Sequence, residues 1–243
     1  MPGQKGISPK VKGIFVTGTD TGVGKTVVTG CLFRYLTQKG YSVITQKWVQ
    51  TGSNSLLSSD IGIHFKISKR SLNQVKEYLP LILPNVFKTP ASPHLASRLE
   101  NKKIDPDKIK KSFRSLSKMF DFVIVEGTGG ALVPINKNKL LIDIVKELKL
   151  PALIVAGNKL GAINHTLLAI ESLNARKIKT LGLVFNNLWK QNSLILKDNP
   201  RIIKALTACE VLGNLEREPD YEKIYKKFIP IGNKILKRIL KNG

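Results

Sequence analysis

The sequence predicts a doubly wound α/β fold: one mostly parallel sheet with helices on both faces. Three observations predict it. Short apolar runs alternate with helical patterns along the 243 residues. The runs are apolar at successive positions, as strands covered on both faces require. A glycine-rich turn joins the first run to the first helix, the connection at which open α/β sheets bind phosphate.

Taken in order, residues 13–17 (GIFVT) read as a buried strand, and Lys25–Gln38 as a helix with Val27, Val28, Cys31, Leu32 and Tyr35 on one side. Residues 41–45, 122–125 (FVIV), 151–156 (PALIVA) and 180–185 (TLGLVF) read as four more strands, with a short sixth at 210–213. Helices are expected at 105–119 and 164–175. The longest irregular stretch is 80–93, which carries four prolines. The tail, 221–241, is a basic amphipathic helix whose Ile235, Leu236, Ile239 and Leu240 stripe suits core packing. No repeat and no long linker interrupt this order. One domain over 1–243 is expected, with 1–11 as a flexible extension.

Composition narrows the function classes. With 42% apolar residues the chain can build a sizeable core, and no apolar run nears the roughly 20 residues of a membrane span. Two cysteines, Cys31 and Cys209, make no disulfide framework and fit a reducing cytoplasm. The formal charge of +23 would suit nucleic acid. Yet the lysines are scattered, clustering only moderately at 102–118 and 223–241, with no nucleic-acid-binding pattern. A solvated basic surface is the expectation, with no nucleic-acid or membrane partner.

The first strand leads into Gly18-Thr-Asp-Thr-Gly22-Val23-Gly24-Lys25-Thr26. Glycines let backbone N–H groups curl around phosphate oxygens, and the helix adds its N-terminal dipole. Lys25 is placed to reach the β- and γ-phosphates, and the Thr26 hydroxyl to hold Mg²⁺. Five residues separate Gly18 from Gly24 where the strict pattern has four, so the loop is a variant.

Polar residues recur beyond the carboxyl ends of the other strands, where ligands of parallel sheets bind. After the second come Lys47, suited to charge developing on a γ-phosphate, and Thr51. After the third come Glu126, a carboxylate suited to Mg²⁺, then Gly127, Thr128, Gly129 and Gly130. Asp60 heads a short helix and is a second carboxylate candidate. After the fourth, residues 159–165 start a helix with free N–H groups for a substrate anion. After the fifth, Asn186 and Asn187 offer amides that can read adenine. The histidines His64, His94 and His165 lack metal-ligand spacing.

These motifs, FVTGTDTGVGKT, KWVQTGS, TPASPHLAS, VEGTGG, NKLGAINHTLLA and GLVFNN, occur in an order that closely resembles the ATP-dependent dethiobiotin synthetases. The resemblance runs from about residue 12 to 215. It implies a doubly wound domain that pairs as a cytoplasmic homodimer. It further implies a cyclo-ligase that joins CO₂ to 7,8-diaminononanoate with ATP and Mg²⁺, through a carbamate and a carbamic–phosphoric anhydride.

Carried onto this chain, the resemblance makes Lys25 and Lys47 the catalytic lysines and Thr26, Asp60 and Glu126 the Mg²⁺ site. ATP contacts extend over Gly22, Val23, Gly24, Val27, Gly127, Thr128, Gly129 and Asn187, with Asn186 as the adenine reader. Thr51, Lys47, Gly161 and Asn164 meet the diamine, the last two across the dimer interface. Trp48 stands in place of a proline and Gln50 in place of a small residue, both beside the substrate. Glu216, Arg217 and Glu218 precede Pro219 where the family tends to have a proline framing adenine directly after Leu215, which bears on nucleotide selectivity. The competing reading is a nucleotide-switched partition ATPase of the ParA/MinD type. Such proteins carry a lysine where this loop has Asp20.

Overall fold

The computed structural model describes residues 13–53 and 59–241, so the expected extension at 1–11 lies outside the described residues. Among these residues six strands build the central sheet: β1 (Gly13–Gly18), β2 (Val43–Lys47), β3 (Phe122–Gly130), β6 (Ala152–Gly157), β7 (Thr180–Asn187) and β8 (Val211–Glu216). Their order is β2-β3-β1-β6-β7-β8 and every pairing is parallel. Strands β4 (Pro134–Asn136) and β5 (Lys139–Leu140) form a small antiparallel pair apart from it. The chain leaves β1 for the edge, returns through β3, then crosses to β6 on the other side of β1. Connections therefore diverge on the two sides of β1 and open a crevice at its carboxyl end.

The helices are α1 (Lys25–Gln38), α2 (Ser59–Ser68), α3 (Leu79–Ile82), α4 (Pro93–Leu99), α5 (Pro106–Met119), α6 (Leu141–Glu147), α7 (Ala162–Ala175), α8 (Ser193–Leu206) and α9 (Tyr221–Lys241), with a 3₁₀ turn over Leu72–Tyr78. Strands β1, β2 and β6 are buried along their whole lengths, as the apolar runs required. Helix α5 starts where expected: Asp105 accepts a hydrogen bond from the Asp107 N–H, and Pro106 occupies the first turn. Helix α9 turns Ile235 and Ile239 into the core, while Leu240 is left exposed.

Several boundaries differ from expectation. Strand β2 starts and ends two residues later than read, so Lys47 is its last residue rather than the residue beyond it. Strand β3 runs on to Gly130, which puts Glu126 inside the sheet. The proline-rich stretch is irregular only in part, since Pro80 sits in the first turn of α3. Helix α1 is not apolar on one side alone. Thr29, Gly30, Phe33 and Arg34 are buried too, because α2 and α9 pack against it as well as the sheet. A Cβ at Gly30 would lie 2.8 Å from Ile67 Cδ1 and 3.3 Å from the His64 Cα, so this contact brings α1 and α2 within backbone reach.

Candidate active site

The loop between β1 and α1 is shaped from both ends. Gly24 caps α1 with φ of 91°, a left-handed conformation that glycine adopts without steric cost. A Cβ there would lie 2.3 Å from Asn186 Nδ2. Asn186 itself donates from that nitrogen to the Val23 carbonyl at 2.6 Å and is 3% exposed. Its amide nitrogen thus braces the phosphate loop from β7. Asn187 lies at the adjoining edge. Its Nδ2 donates to Glu216 Oε1 at 2.6 Å, while its buried Oδ1 has no partner.

Lys25, Lys47, Thr26, Asp60 and Glu126 converge on one cleft of about 320 Å³, which Gly22, Gly24, Gln50, Thr51, Thr128 and Gly129 also line. Parallel register sets Lys47 directly beside Glu126 on the neighbouring strands β2 and β3. The Lys47 ammonium lies 3.1 Å from Glu126 Oε1 and 2.5 Å from Asp60 Oδ2. The Thr26 hydroxyl lies 3.1 Å from Asp60 Oδ1 and 3.1 Å from Glu126 Oε1. Lys25 donates to the Asp20 carbonyl at 2.8 Å.

Burial makes these charges sensitive to one another. It pulls the Lys25 ammonium down to about 8, with Lys47 adding to the fall and Glu126 and Asp60 opposing it. Lys47 also suffers desolvation, yet the adjoining Glu126 and Asp60 carboxylates outweigh it and hold the ammonium above its ordinary value. Burial would raise Glu126, but the Lys47 charge and the hydrogen bond from His64 carry it down to about 2. The cleft therefore holds Glu126 as a carboxylate with Lys47 locked to it, and Lys25 as the more readily deprotonated of the two ammonium groups.

His64 is the site residue that reading the chain missed. It is fully buried and its Nε2 lies 2.6 Å from Glu126 Oε2. The signal was its position on α2 one turn after Asp60, which places both side chains on one helix face.

Of the two replacements expected beside the substrate, one sits elsewhere. Trp48 is 1% exposed, stacks on Phe15 and donates to Gln46 Oε1, so it belongs to the core and not to the cleft. A residue following a strand's last position has its side chain on the opposite face from that position, and Lys47 occupies the cleft side. Gln50 does line the cleft. Gly127 is a packing glycine, since a Cβ there would lie 2.8 Å from the Phe15 ring. Val23 is buried beneath the loop and Val27 is half-buried on α1. Gly161 and Asn164 are exposed at the start of α7 and are not brought into this cleft.

A glycine loop feeding a helix, a lysine beside it and a carboxylate–hydroxyl cluster on the adjoining strands define a phosphate-loop nucleotide-binding protein. The family model described as an AAA domain matches residues 12–224. An ATP-dependent dethiobiotin synthetase from Thermodesulfovibrio yellowstonii is 37% identical over 84% of this chain and 88% of its own. One from Haemophilus influenzae is 38% identical over 79% of this chain and 99% of its own. The chain belongs to the ATP-dependent dethiobiotin synthetase family and is an ATP-dependent ligase of biotin biosynthesis. The fold is shared more widely. The ParA protein of pNOB8, solved bound to nonspecific DNA, superposes with a TM-score of 0.62 at 12% identity, covering 96% of this chain and all of that one.

Proposed function

We propose that this enzyme carboxylates 7,8-diaminononanoate with CO₂ and closes the ureido ring of dethiobiotin, with ATP giving ADP and phosphate. The observation that carries this reading is the cluster of buried Lys47 and Glu126 with half-buried Asp60 and Thr26, facing Lys25 in a member of the synthetase family. A substrate amine captures CO₂ as a carbamate and releases a proton. A carbamate oxygen then attacks the γ-phosphorus and ADP leaves. The second amine attacks the carbonyl carbon of the mixed anhydride, and phosphate leaves with loss of a proton.

Two anions must meet in the second step, and Lys25 and Lys47 supply the positive charge between them. The backbone of Gly22, Val23 and Gly24 holds the phosphates. Thr26, Asp60 and Glu126 present hard oxygens of the kind Mg²⁺ takes alongside substrate phosphates. Two carboxylates and one hydroxyl make a set that substrate phosphates would extend. Mg²⁺ there would neutralise charge on the β- and γ-oxygens. Thr51 lines the cleft on the substrate side, and Thr128 serves with the ATP contacts. Gln50 Oε1, buried and without a partner, is an acceptor for a substrate amine. Asn187 Oδ1 is the corresponding acceptor for the exocyclic amine of adenine.

Gly161 and Asn164, together with exposed Leu160 and Leu168, support a homodimer in which α7 of one protomer receives the carboxylate of substrate bound to its partner. One continuous core among the described residues supports a single domain, and two buried free cysteines suit the cytoplasm. The test is direct. Protein, ATP, Mg²⁺, bicarbonate and the diamine should release phosphate and form dethiobiotin. Phosphate release that ignores the diamine and rises with DNA would instead select the partition-type reading.

A further inference from the structure

The Glu126 carboxylate has two oxygens with different surroundings. Oε1 faces the Thr26 hydroxyl and the Lys47 ammonium, each at 3.1 Å. Oε2 points the other way, to His64 Nε2 at 2.6 Å, with both side chains almost wholly buried. An ionised carboxylate only accepts, so Nε2 carries the hydrogen. The other ring nitrogen, Nδ1, is buried without a partner. The contact with Glu126 is therefore the imidazole's polar tie among the described residues.

Two features fix where that ring sits. His64 follows Asp60 by one turn of α2, so the helix that delivers Asp60 to Lys47 and Thr26 also delivers His64 to Glu126. Helix α2 in turn lies against α1 at Gly30, where the His64 Cα is 3.3 Å from the space a Cβ would fill. A larger residue at 30 would push the ring away from the carboxylate.

We propose that His64 is a positioning residue: it pins Glu126 by Oε2 and so aims Oε1 at the point where Thr26, Asp60 and Lys47 meet. A histidine that merely fills core space would need no carboxylate at 2.6 Å, and an apolar residue would fill it without leaving Nδ1 unpaired. The inference rests on Glu126 serving the metal–phosphate site, as proposed above. It does not rest on the identity of the second substrate.

The experiment measures equilibrium binding of a non-hydrolysable ATP analogue, with and without Mg²⁺ and with no diamine present, beside the thermal midpoint. Groups that orient a metal-binding carboxylate typically change metal affinity by about 10–100-fold when removed. His64→Leu and His64→Asn, neither of which reaches Glu126 with a donor, should lose about tenfold or more of the Mg²⁺-dependent gain in analogue affinity. Metal-free binding should stay within about twofold. His64→Gln, whose longer amide can donate to Oε2, should recover most of the gain. Should His64→Leu fail to fold, the Asn and Gln pair carries the comparison, since both are polar and differ in reach. Undiminished Mg²⁺ gain in the Asn variant overturns the proposal. So does equal loss in Asn and Gln together with an equal fall in midpoint, which is the mark of packing alone. If the wild-type enzyme fails to consume the diamine, the synthetase reading falls while this binding result still decides the role of His64.

Discussion

The two rims of the sheet carry lysines in opposite ways. At the carboxyl-end rim, Lys25 and Lys47 are 6% and 5% exposed, and each is held by named oxygen atoms. At the amino-end rim, Lys146, Lys149, Lys177 and Lys179 stand exposed around an apolar floor that includes Leu150, Ile178 and Ile239, and Lys179 adjoins a second hollow lined by the exposed Lys237 and Lys241. The floor residues are themselves packed into the core. Two of these lysines, Lys149 and Lys177, follow the ends of α6 and α7, where a cation meets the helix's partial negative charge. Count alone would give the amino-end rim the greater importance. Burial and pairing give it to the two lysines of the other, because a charge out of water must be matched by a specific partner and is altered by any ligand that competes for it.

The sharpest way to break this comparison is Lys47→Gln. It leaves Glu126 buried and Asp60 half-buried without their cation, so stability should fall by about 3 kcal/mol. Turnover should fall about 10³-fold, since a donor aimed at developing charge is lost. Thermal melts and steady-state phosphate release check both, and nucleotide binding should persist. Near-full turnover in this variant would remove Lys47 from the chemistry.

Glu126→Gln comes next, with an expected loss of about 10²-fold in turnover and of most Mg²⁺-dependent nucleotide affinity. Calorimetric titration with and without Mg²⁺ reads the second effect separately from the first.

The pH dependence of nucleotide binding is a smaller test. The free enzyme holds Lys25 near 8, and phosphate needs its charged form. As pH rises above about 8, binding must take up a proton, so the dissociation constant should rise about tenfold per pH unit until the pKa of the bound form is reached. Lys25→Arg stays charged throughout and should flatten that dependence. A flat wild-type profile between pH 7 and 10 would refute the depressed lysine.

The smallest effect belongs to the amino-end rim. Lys149 and Lys177 both have left-handed φ, 54° and 56°. Replacing each with glycine should raise stability by about 1 kcal/mol, and turnover should change less than about twofold. A marked loss of turnover there would erase the distinction between the rims.

Much of the carboxyl-end rim was legible in the chain, and the reason is local. The phosphate loop is contiguous, and β1, β6 and β7 announce themselves by apolar runs that only a doubly covered sheet uses. Lys47 and Glu126 could be named because both close such runs. What escaped depends on distant neighbours. His64 gains its meaning from a residue 62 positions away, and Asn186 from a carbonyl 163 positions away. The resemblance puts Trp48 beside the substrate, in place of a proline, whereas its side chain, just past the end of β2, packs on Phe15 in the core. Helices α3, α4 and α6, of 4 to 7 residues, are too short to show a period.

The Lys47–Glu126 register has a consequence for how the chain reaches this structure. Among the described residues, strand β2 lies at the edge of the sheet and pairs only with β3. A slip of one residue would turn every β2 side chain to the opposite face and carry the Lys47 ammonium away from the carboxylate. Glu126 would then be buried with its cation missing, a state costlier than most mispaired strands incur. The ion pair thus also favours the correct register of this strand over its slipped alternative. A chain that completes β2 in the wrong register is marked by its own unpaired charge, and the correctly assembled sheet is the one that arrives with its reactive groups already matched.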